Sequence, residues 1–186
     1  MQPQLKGDVH YTYSDYASWD DGKRYELIDG VIYLMSPAPT PAHQTICGEL
    51  HAQLHSFLRG KPCKVFIAPL DVRLDAASGD NTVVQPDILV VCDQAKVKGK
   101  NCKGVPDMVI EVLSPSTLSR DKVVKFNKYL RAGVREYWIV DLEGRNVTVN
   151  ILKNGEYISK AYGDEETVPV NVLNGCQMDL KLVFAG

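Results

Sequence analysis

Two acidic residues stand inside otherwise apolar stretches of the sequence. Asp87 lies in VVQPDILVV and Glu111 lies in PDMVIEVL. Burying a carboxylate in such a stretch costs free energy unless the group is paired, hydrogen-bonded or bound to a metal. If the two stretches form adjacent strands, both carboxylates can converge on one divalent ion. Because hard oxygen ligands without clustered His or Cys suit Mg²⁺ or Mn²⁺ better than zinc, the sequence favours one of those two ions.

The surroundings of each acid leave a structural interpretation open as well. Side chains alternate along a strand, so Glu111 faces away from Ile110 and Val112. Glu111 could then pair with a buried lysine instead of a metal. Asp87 directly follows Pro86, so it could cap a turn at the start of a strand.

The elements that must position these acids are visible as local patterns. Asp29-Gly30 separates YELI from VIYLM, which is a strong signal for a β-hairpin. Apolar residues recur every four positions over 42–58, which predicts an amphipathic helix. The order of elements predicts an α/β domain of the α+β type, in which a mixed central sheet is flanked by helices.

Further elements follow from turn and cap residues. A short helix is expected near 14–19 with Ser14 as its cap, and a second long helix over 119–132 ends at Gly133. Loops are expected at 75–82 and 93–105. Strands are expected at 64–68, 71–74, 83–92, 107–113 and 136–141, and an antiparallel meander is expected to close the chain.

The charge of the chain is unevenly distributed. The net charge is −2, which argues against a generally basic surface for nucleic acid. The segment 96–135, however, contains ten Lys or Arg residues and three acids, a balance of +7, while the rest of the chain carries −9. This segment is either a local footprint for a phosphate backbone or a solvated lysine-rich face.

Composition excludes several classes of protein. The five cysteines are odd in number and form no CxxC pair, so reduced thiols packed as small apolar groups are expected. No GxGxxG or P-loop motif occurs, so no nucleotide cofactor is expected. No apolar run approaches the roughly 18 residues of a membrane helix, and the N-terminus lacks a signal-peptide segment. We therefore expect a cytoplasmic protein with no membrane partner and a single domain over 1–186.

Five blocks of the sequence together resemble a known family. They are YELIDGVIYLMSPAPTPAHQ, QPDILVV, PDMVIEVLSPST, SRDKVVKFNKYLRAGVREYWIVD and the terminal strands. In this order they resemble the Uma-two family of restriction-endonuclease-like proteins, in the PD-(D/E)XK nuclease superfamily. The resemblance implies a restriction-endonuclease-like core with an N-terminal helix and hairpin and a C-terminal antiparallel meander. It also implies that Asp87 and Glu111 hold the metal.

The sequence departs from the superfamily pattern at one position. The lysine of the E-x-K motif is replaced by Leu113. The following helix offers substitutes, and the D-x-x-x-K-x-x-x-Y spacing shared with the family favours Lys125. A helical wheel with Val123, Phe126 and Leu130 on its core face places Lys122 nearer that face, so Lys122 is the reserve candidate. An exposed ion pair between Asp121 and Lys125 is the structural alternative.

Three other side chains are candidates for the site. Superfamily members often add an early acid, and Glu26, which lies in a matching block, is preferred to Glu49 on the first long helix. His43 matches the histidine at the start of the family's helix. The four-residue spacing of His43, Cys47, His51 and His55 could also bind zinc, but no second ligand cluster completes such a site.

The resulting hypothesis is metal-dependent hydrolysis of DNA phosphodiester bonds. Asp87, Glu111, Lys125, Glu26 and His43 would form the catalytic site. The DNA backbone would contact basic side chains at Lys98, Lys100, Lys103 and Lys122. Superfamily analogy suggests a homodimer. The alternatives are a nuclease fold that binds DNA or regulates without cleaving, which the missing E-x-K lysine favours, and a structural protein that binds neither metal nor DNA.

Overall fold

The structure is a computed structural model that describes residues 9–35, 38–114 and 120–185. The strands, numbered in chain order, are β1 Tyr25–Ile28, β2 Val31–Leu34, β3 Lys64–Ile67, β4 Asp71–Arg73, β5 Val83–Val84, β6 Ile88–Val91, β7 Val97–Lys98, β8 Asn101–Lys103, β9 Met108–Val112, β10 Glu136–Asp141, β11 Asn146–Lys153, β12 Glu156–Gly163, β13 Thr167–Pro169 and β14 Gln177–Asp179. The α-helices are α1 Tyr13–Tyr16, α2 Pro41–Leu58, α3 Phe126–Ala132 and α4 Leu180–Val183. The predicted α+β class is confirmed.

The larger sheet has the order β12-β11-β10-β9-β6-β3. Strands β9 and β10 run parallel, whereas their other neighbours in this sheet pair antiparallel, so the sheet is mixed. Strands β10, β11 and β12 form the predicted antiparallel meander. One face of the sheet packs through Ile110 and Trp138 against α2 and the C-terminal segment, and the other packs through Val109 and Tyr137 toward α3. The central strands β6, β9 and β10 are therefore buried on both faces, which explains their nearly continuous apolar sequences.

The smaller sheet has the order β2-β1-β5-β4-β8-β7. Its first hairpin turns at Asp29 and Gly30, which have φ of 52° and 78°. Positive φ at both positions is what a two-residue turn between twisted strands requires, so the predicted hairpin is confirmed. The segment 93–105, predicted to be a loop, instead contains a 3₁₀ turn and the hairpin of β7 and β8. These short strands lie at the edge of the sheet, where exposed lysines interrupt the alternation of apolar residues that predicts a strand.

The first long helix is close to its prediction of 42–58 and starts one residue earlier. The hydroxyl oxygen of Thr40 accepts a hydrogen bond from the backbone N–H of His43 at 3.2 Å, and Pro41 occupies the first turn. Both features favour helix initiation. The buried stripe of α2 is the predicted apolar one: Ile46, Leu50, Leu54 and Leu58.

The second long helix differs from its prediction as one regular α-helix over 119–132. Residues 120–125 form a π-helix, and α3 continues from Phe126 until Gly133, which has φ of 87°. The predicted start at 119 lies outside the described residues. Because a π-helix has a wider turn than an α-helix, the wheel is rotated and Val123 is 59% exposed. The assignment of Val123 to the core face was therefore wrong.

Two smaller predictions were also wrong. Thr12, not Ser14, is the N-cap of α1. The backbone N–H of Thr12 donates a hydrogen bond to the Asp15 carboxylate at 2.8 Å. Cys63 and Cys92 form a disulfide rather than reduced thiols, because the antiparallel register of β3 and β6 continues one residue beyond their last pair. Cys47, Cys102 and Cys176 are free and buried, as expected. None of the described helices is long and apolar enough to cross a membrane.

Candidate active site

Asp87 and Glu111 lie opposite one another across two paired strands. Ile88 of β6 pairs with Ile110 of β9, so the next position along the antiparallel register brings Asp87 opposite Glu111. The Asp87 Oδ2 atom accepts a hydrogen bond from the backbone N–H of Val112 at 2.8 Å. The two strands are thus neighbours, which is the condition for the two carboxylates to share an ion.

A helix lysine lies between two of the acids. The Lys125 Nζ atom is 2.9 Å from Oε1 of Glu111 and 2.9 Å from Oε1 of Glu26. Lys125 and Glu111 are each 3% exposed, and Glu26 is fully buried. Leu113, at the usual lysine position, packs instead in the apolar cluster beneath α3. The ammonium group therefore reaches the acids from the π-helix rather than from the strand.

Tyr129 also contacts the acids, although it was not among the site residues predicted from the sequence. Its hydroxyl donates a hydrogen bond to Oε1 of Glu111 at 2.8 Å, and its ring packs 4.9 Å from that of Tyr137. Burial, and then the charge of Glu111, raise the pKa of Tyr129 well above its ordinary value. The phenol is therefore a hydrogen-bond donor at neutral pH. The signal that points to it is its place four residues after Lys125, on the same helix face.

Of the two early acids, the structure brings Glu26 and not Glu49 to the cluster. The Glu26 Oε1 atom also accepts a hydrogen bond from the backbone N–H of Gln85 at 2.9 Å. The Glu49 carboxylate instead accepts a hydrogen bond from the Gln53 amide at 3.0 Å, within α2. Strand β1 thus carries the early acid because it pairs with β5, which leads directly to Asp87.

His43 contacts the other end of the site. Its Nε2 atom is 3.4 Å from Asp87 Oδ2 and 3.1 Å from the carbonyl oxygen of Val112. The thiol of Cys47, one turn later on α2, is 3.6 Å from His43 Nδ1. Burial, with the charges of Asp87 and Glu111, raises the pKa of Cys47. This thiol is therefore protonated at neutral pH and is a poor metal ligand in that form.

The alternative zinc stripe along α2 is divided by the fold. His51 and His55 stack on one another with ring centroids 5.7 Å apart. Among the described residues, the group of ligand atoms close enough to hold one ion combines His43 and Cys47 with Asp87, not with the two later histidines. The helix therefore contributes only its first turns to the site.

The charges of the cluster fit a divalent cation. Asp87, Glu111 and Glu26 contribute three carboxylates, and Lys125 contributes one ammonium group. Two negative charges are left in a largely buried corner, which is unfavourable without a counter-charge. Oxygen ligands of this kind suit Mg²⁺ or Mn²⁺. Asp87 and Glu111 are therefore residues that could hold a hard divalent ion.

The lysines predicted to contact DNA, and Lys128, have different surroundings. Lys98, Lys100 and Lys103 are exposed on the hairpin of β7 and β8. The side chain of Lys122 lies outside the described part of the structure. Lys128, a third lysine of the second long helix, forms an ion pair with Asp29 on the β1–β2 turn and not with the acid cluster.

Comparison with known proteins assigns the family. A family model named Uma2 and described as "Putative restriction endonuclease" matches residues 13–181. The chain belongs to the Uma2 family. This family and the fold are those of restriction-endonuclease-like nucleases.

Two individual proteins are similar to this Uma2 chain. An uncharacterized protein of Synechocystis sp. is 32% identical over 117 residues, which cover 62% of this chain and 60% of that protein. The crystal structure of a putative nuclease belonging to DUF820 from Anabaena variabilis has a TM-score of 0.76. The match covers 94% of this chain and 98% of that one at 19% identity, and at this identity it demonstrates the fold alone.

Proposed function

We propose that this Uma2 protein is a divalent-metal-dependent DNA endonuclease that hydrolyses phosphodiester bonds. The observation that carries the proposal is the position of Lys125, 2.9 Å from both Glu26 and Glu111. This chain has Leu113 where the superfamily pattern has its lysine. The helix supplies an ammonium group to the same acids through Lys125. This ammonium group supports cleavage over a non-cleaving nuclease fold, which the missing E-x-K lysine and the acidic net charge had favoured.

Each residue has a role that follows from its contacts. Asp87 and Glu111 would hold Mg²⁺ or Mn²⁺, which would lower the pKa of a bound water and neutralise charge on the phosphate. The ammonium group of Lys125 orients the attacking water and stabilises negative charge that develops on the phosphate. Glu26 and Tyr129 are positioning residues, because they fix Lys125 and Glu111. His43 positions Asp87 in the same way.

The DNA backbone contacts lysines of the basic segment 96–135. Lys98, Lys100, Lys103 and Lys122 belong to the segment that carries a charge of +7 on an otherwise acidic chain. Contacts of this kind fix the register of DNA without reading its sequence. We therefore expect binding that weakens steeply with salt.

The test is cleavage of supercoiled plasmid with Mg²⁺, Mn²⁺ or EDTA. Wild type should nick or linearise DNA only with metal, and Asp87→Ala and Lys125→Met should lose at least about 100-fold in rate, since each removes charge stabilisation at the reacting group. Lys128→Met is the matched control, because its partner is Asp29 on the surface, and it should cleave normally.

Two results would contradict the proposal. Equal cleavage by wild type and Asp87→Ala would exclude the assigned metal site. DNA binding without cleavage under either metal would establish the non-cleaving module instead.

A further inference from the structure

A cavity of about 360 Å³ opens beside α1 and the start of β1, away from the acid cluster. Its walls are four aromatic side chains: Tyr13, Tyr16, Trp19 and Tyr25. Trp19 holds the group together, because its ring meets Tyr16 at 5.5 Å and Tyr25 at 5.4 Å, both edge to face. The volume lies in the range of about 300 to 1,000 Å³ that small-ligand sites occupy. The cavity thus offers a flat ring system rigid aromatic neighbours.

Three cations surround the mouth of this cavity. Lys23 and Arg24 precede β1, and Lys100 extends from the hairpin of β7 and β8. All three are exposed. With Asp71 the one acid in the lining, the cavity carries a net charge of +2 on a chain whose overall charge is −2. This local excess favours an anionic ligand.

The floor of the cavity is polar and hydrogen-bonded. The Asp71 Oδ1 atom accepts from the Tyr16 hydroxyl at 2.9 Å and from the Gln85 amide at 2.8 Å. Arg24 donates to the side-chain oxygen of Gln85. A network of this kind holds its donors and acceptors in fixed directions, so a planar polar ring can form hydrogen bonds with them.

Gln85 also connects the cavity to the acid cluster. Its side chain lines the cavity, while its backbone N–H donates to the Glu26 carboxylate. Asp87 follows two residues later in the chain. The cavity and the acid cluster are therefore joined through Gln85, and the cavity lies outside the metal site proposed above.

We propose that this cavity binds one unstacked nucleotide of the nucleic-acid substrate, with its base against the aromatic rings and its flanking phosphates on Lys23, Arg24 and Lys100. Aromatic rings that stack bases and cations that follow the backbone are the two components of single-strand recognition. A base inside a duplex cannot enter such a cavity without leaving its stack. The identity of the polymer rests on the proposed function, whereas the nucleotide chemistry rests on the cavity alone.

The test uses the fluorescence of Trp19 in EDTA, where metal-dependent cleavage cannot contribute. The chain has two tryptophans, and the other, Trp138, is fully buried. A 12-nucleotide single strand should quench the emission saturably, because a stacked base contacts Trp19. A strand of the same length with one central abasic site should retain quenching, and a fully abasic strand should not. Trp19→Phe should bind the single strand with similar affinity, measured by anisotropy, and without quenching.

Charge and ring variants separate the two components of the site. Trp19→Ala should weaken binding about tenfold or more, as loss of one stacking partner does. Lys100→Glu should lower the slope of log affinity against log salt by about 0.7 for each phosphate that is no longer neutralised. Lys153→Glu is the control of identical charge change, since Lys153 is exposed at the far end of β11, and it should keep the wild-type slope. Lys23→Glu alters an exposed residue of the lining that the proposed cleavage function does not use, and it should lower the slope likewise, so it tests the cavity even if Trp19→Ala fails to fold.

The outcomes distinguish this proposal from the cleavage proposal. Quenching by single strands in a protein that never cleaves would support the cavity and reject the nuclease. Cleavage without quenching, or equal effects of Lys23→Glu and Lys153→Glu, would overturn the cavity. If deoxyadenosine monophosphate binds as tightly as the single strand, the cavity is a site for a free nucleotide and not for part of a nucleic-acid polymer.

Discussion

Two buried glutamates on adjacent parallel strands have opposite surroundings. Glu136 begins β10 and is fully buried, and Glu111 on β9 is 3% exposed. Glu136 accepts hydrogen bonds from the Trp138 indole and the backbone N–H of Val172, both at 2.8 Å. These donors are uncharged, and they fasten the C-terminal segment to one face of the sheet. On the other face, Glu111 instead contacts the ammonium group of Lys125, which also contacts the carboxylate of Glu26.

The difference shows which property of a buried acid indicates chemistry. Burial alone does not, because neutral donors can satisfy a carboxylate completely. An excess of carboxylates over ammonium groups does, since it leaves negative charge that only a cation can balance. Glu111 was predicted from its place in an apolar strand, and the same reasoning would have selected Glu136.

The largest expected difference between the two glutamates is in cleavage. Glu111→Gln should lower the rate of plasmid cleavage with Mn²⁺ by at least about 100-fold, because it removes the charge of a proposed metal ligand. Glu136→Gln should leave the rate per folded molecule unchanged. Cleavage assays on samples of equal folded fraction measure this. Equal losses in both variants would mean that Glu111, like Glu136, serves the fold alone.

The next effect is on stability at the acid cluster. Lys125→Met should cost about 3–5 kcal/mol at neutral pH, since it leaves buried carboxylates uncompensated. Lys128→Met removes a more exposed ion pair and should cost at most about 1 kcal/mol. Urea denaturation measures both values. Mn²⁺ should stabilise Lys125→Met more than wild type, because a cation bound only by the folded state replaces the missing charge. Similar costs for both lysines would show that the Lys125 ion pairs are weak.

A smaller loss is expected at the neutral cluster. Glu136→Leu should cost about 1–3 kcal/mol, because the indole N–H and the backbone N–H of Val172 lose their acceptor in a buried place. Glu136→Gln keeps one acceptor oxygen and should cost less. Thermal denaturation with and without Mn²⁺ tests the comparison. If Mn²⁺ raises the Tm of wild type but not that of Glu136→Leu, the metal binds at Glu136 rather than at Glu111.

The smallest effect concerns the Tyr129 hydroxyl. Tyr129→Phe should cost about 1 kcal/mol by removing a hydrogen bond to Glu111. Its raised pKa in the folded state means that the neutral phenol contributes stability below the unfolded pKa of about 10, and that this contribution is lost as pH rises above that value. Tyr129→Phe should therefore lose less stability between pH 9 and pH 11 than wild type. Unfolding free energies at both pH values check this, and parallel declines would contradict the assigned shift.

Local patterns were sufficient for much of the fold. The Asp29-Gly30 pair predicted the first hairpin, and the four-residue apolar repeat predicted α2 within one residue. Both depend on interactions between residues near in sequence. The strand predicted over 83–92 is divided into β5 and β6, because its halves join different sheets. That division depends on distant partners and could not be read from the segment itself.

The sequence by itself determined the family, through five blocks that resemble it, and it singled out Asp87 and Glu111 as candidates because each stands in an apolar stretch. Only the tertiary structure decided the rest of the site. It carried Lys125 to Glu26 and Glu111 through a π-helix that no periodicity predicts, and it joined Cys63 to Cys92 by strand register. It also brought Asp71, Gln85 and Lys100 against the aromatic side chains of 13–25 to form the cavity. Residue type fixes what a side chain can do, whereas packing between distant segments fixes which side chains meet.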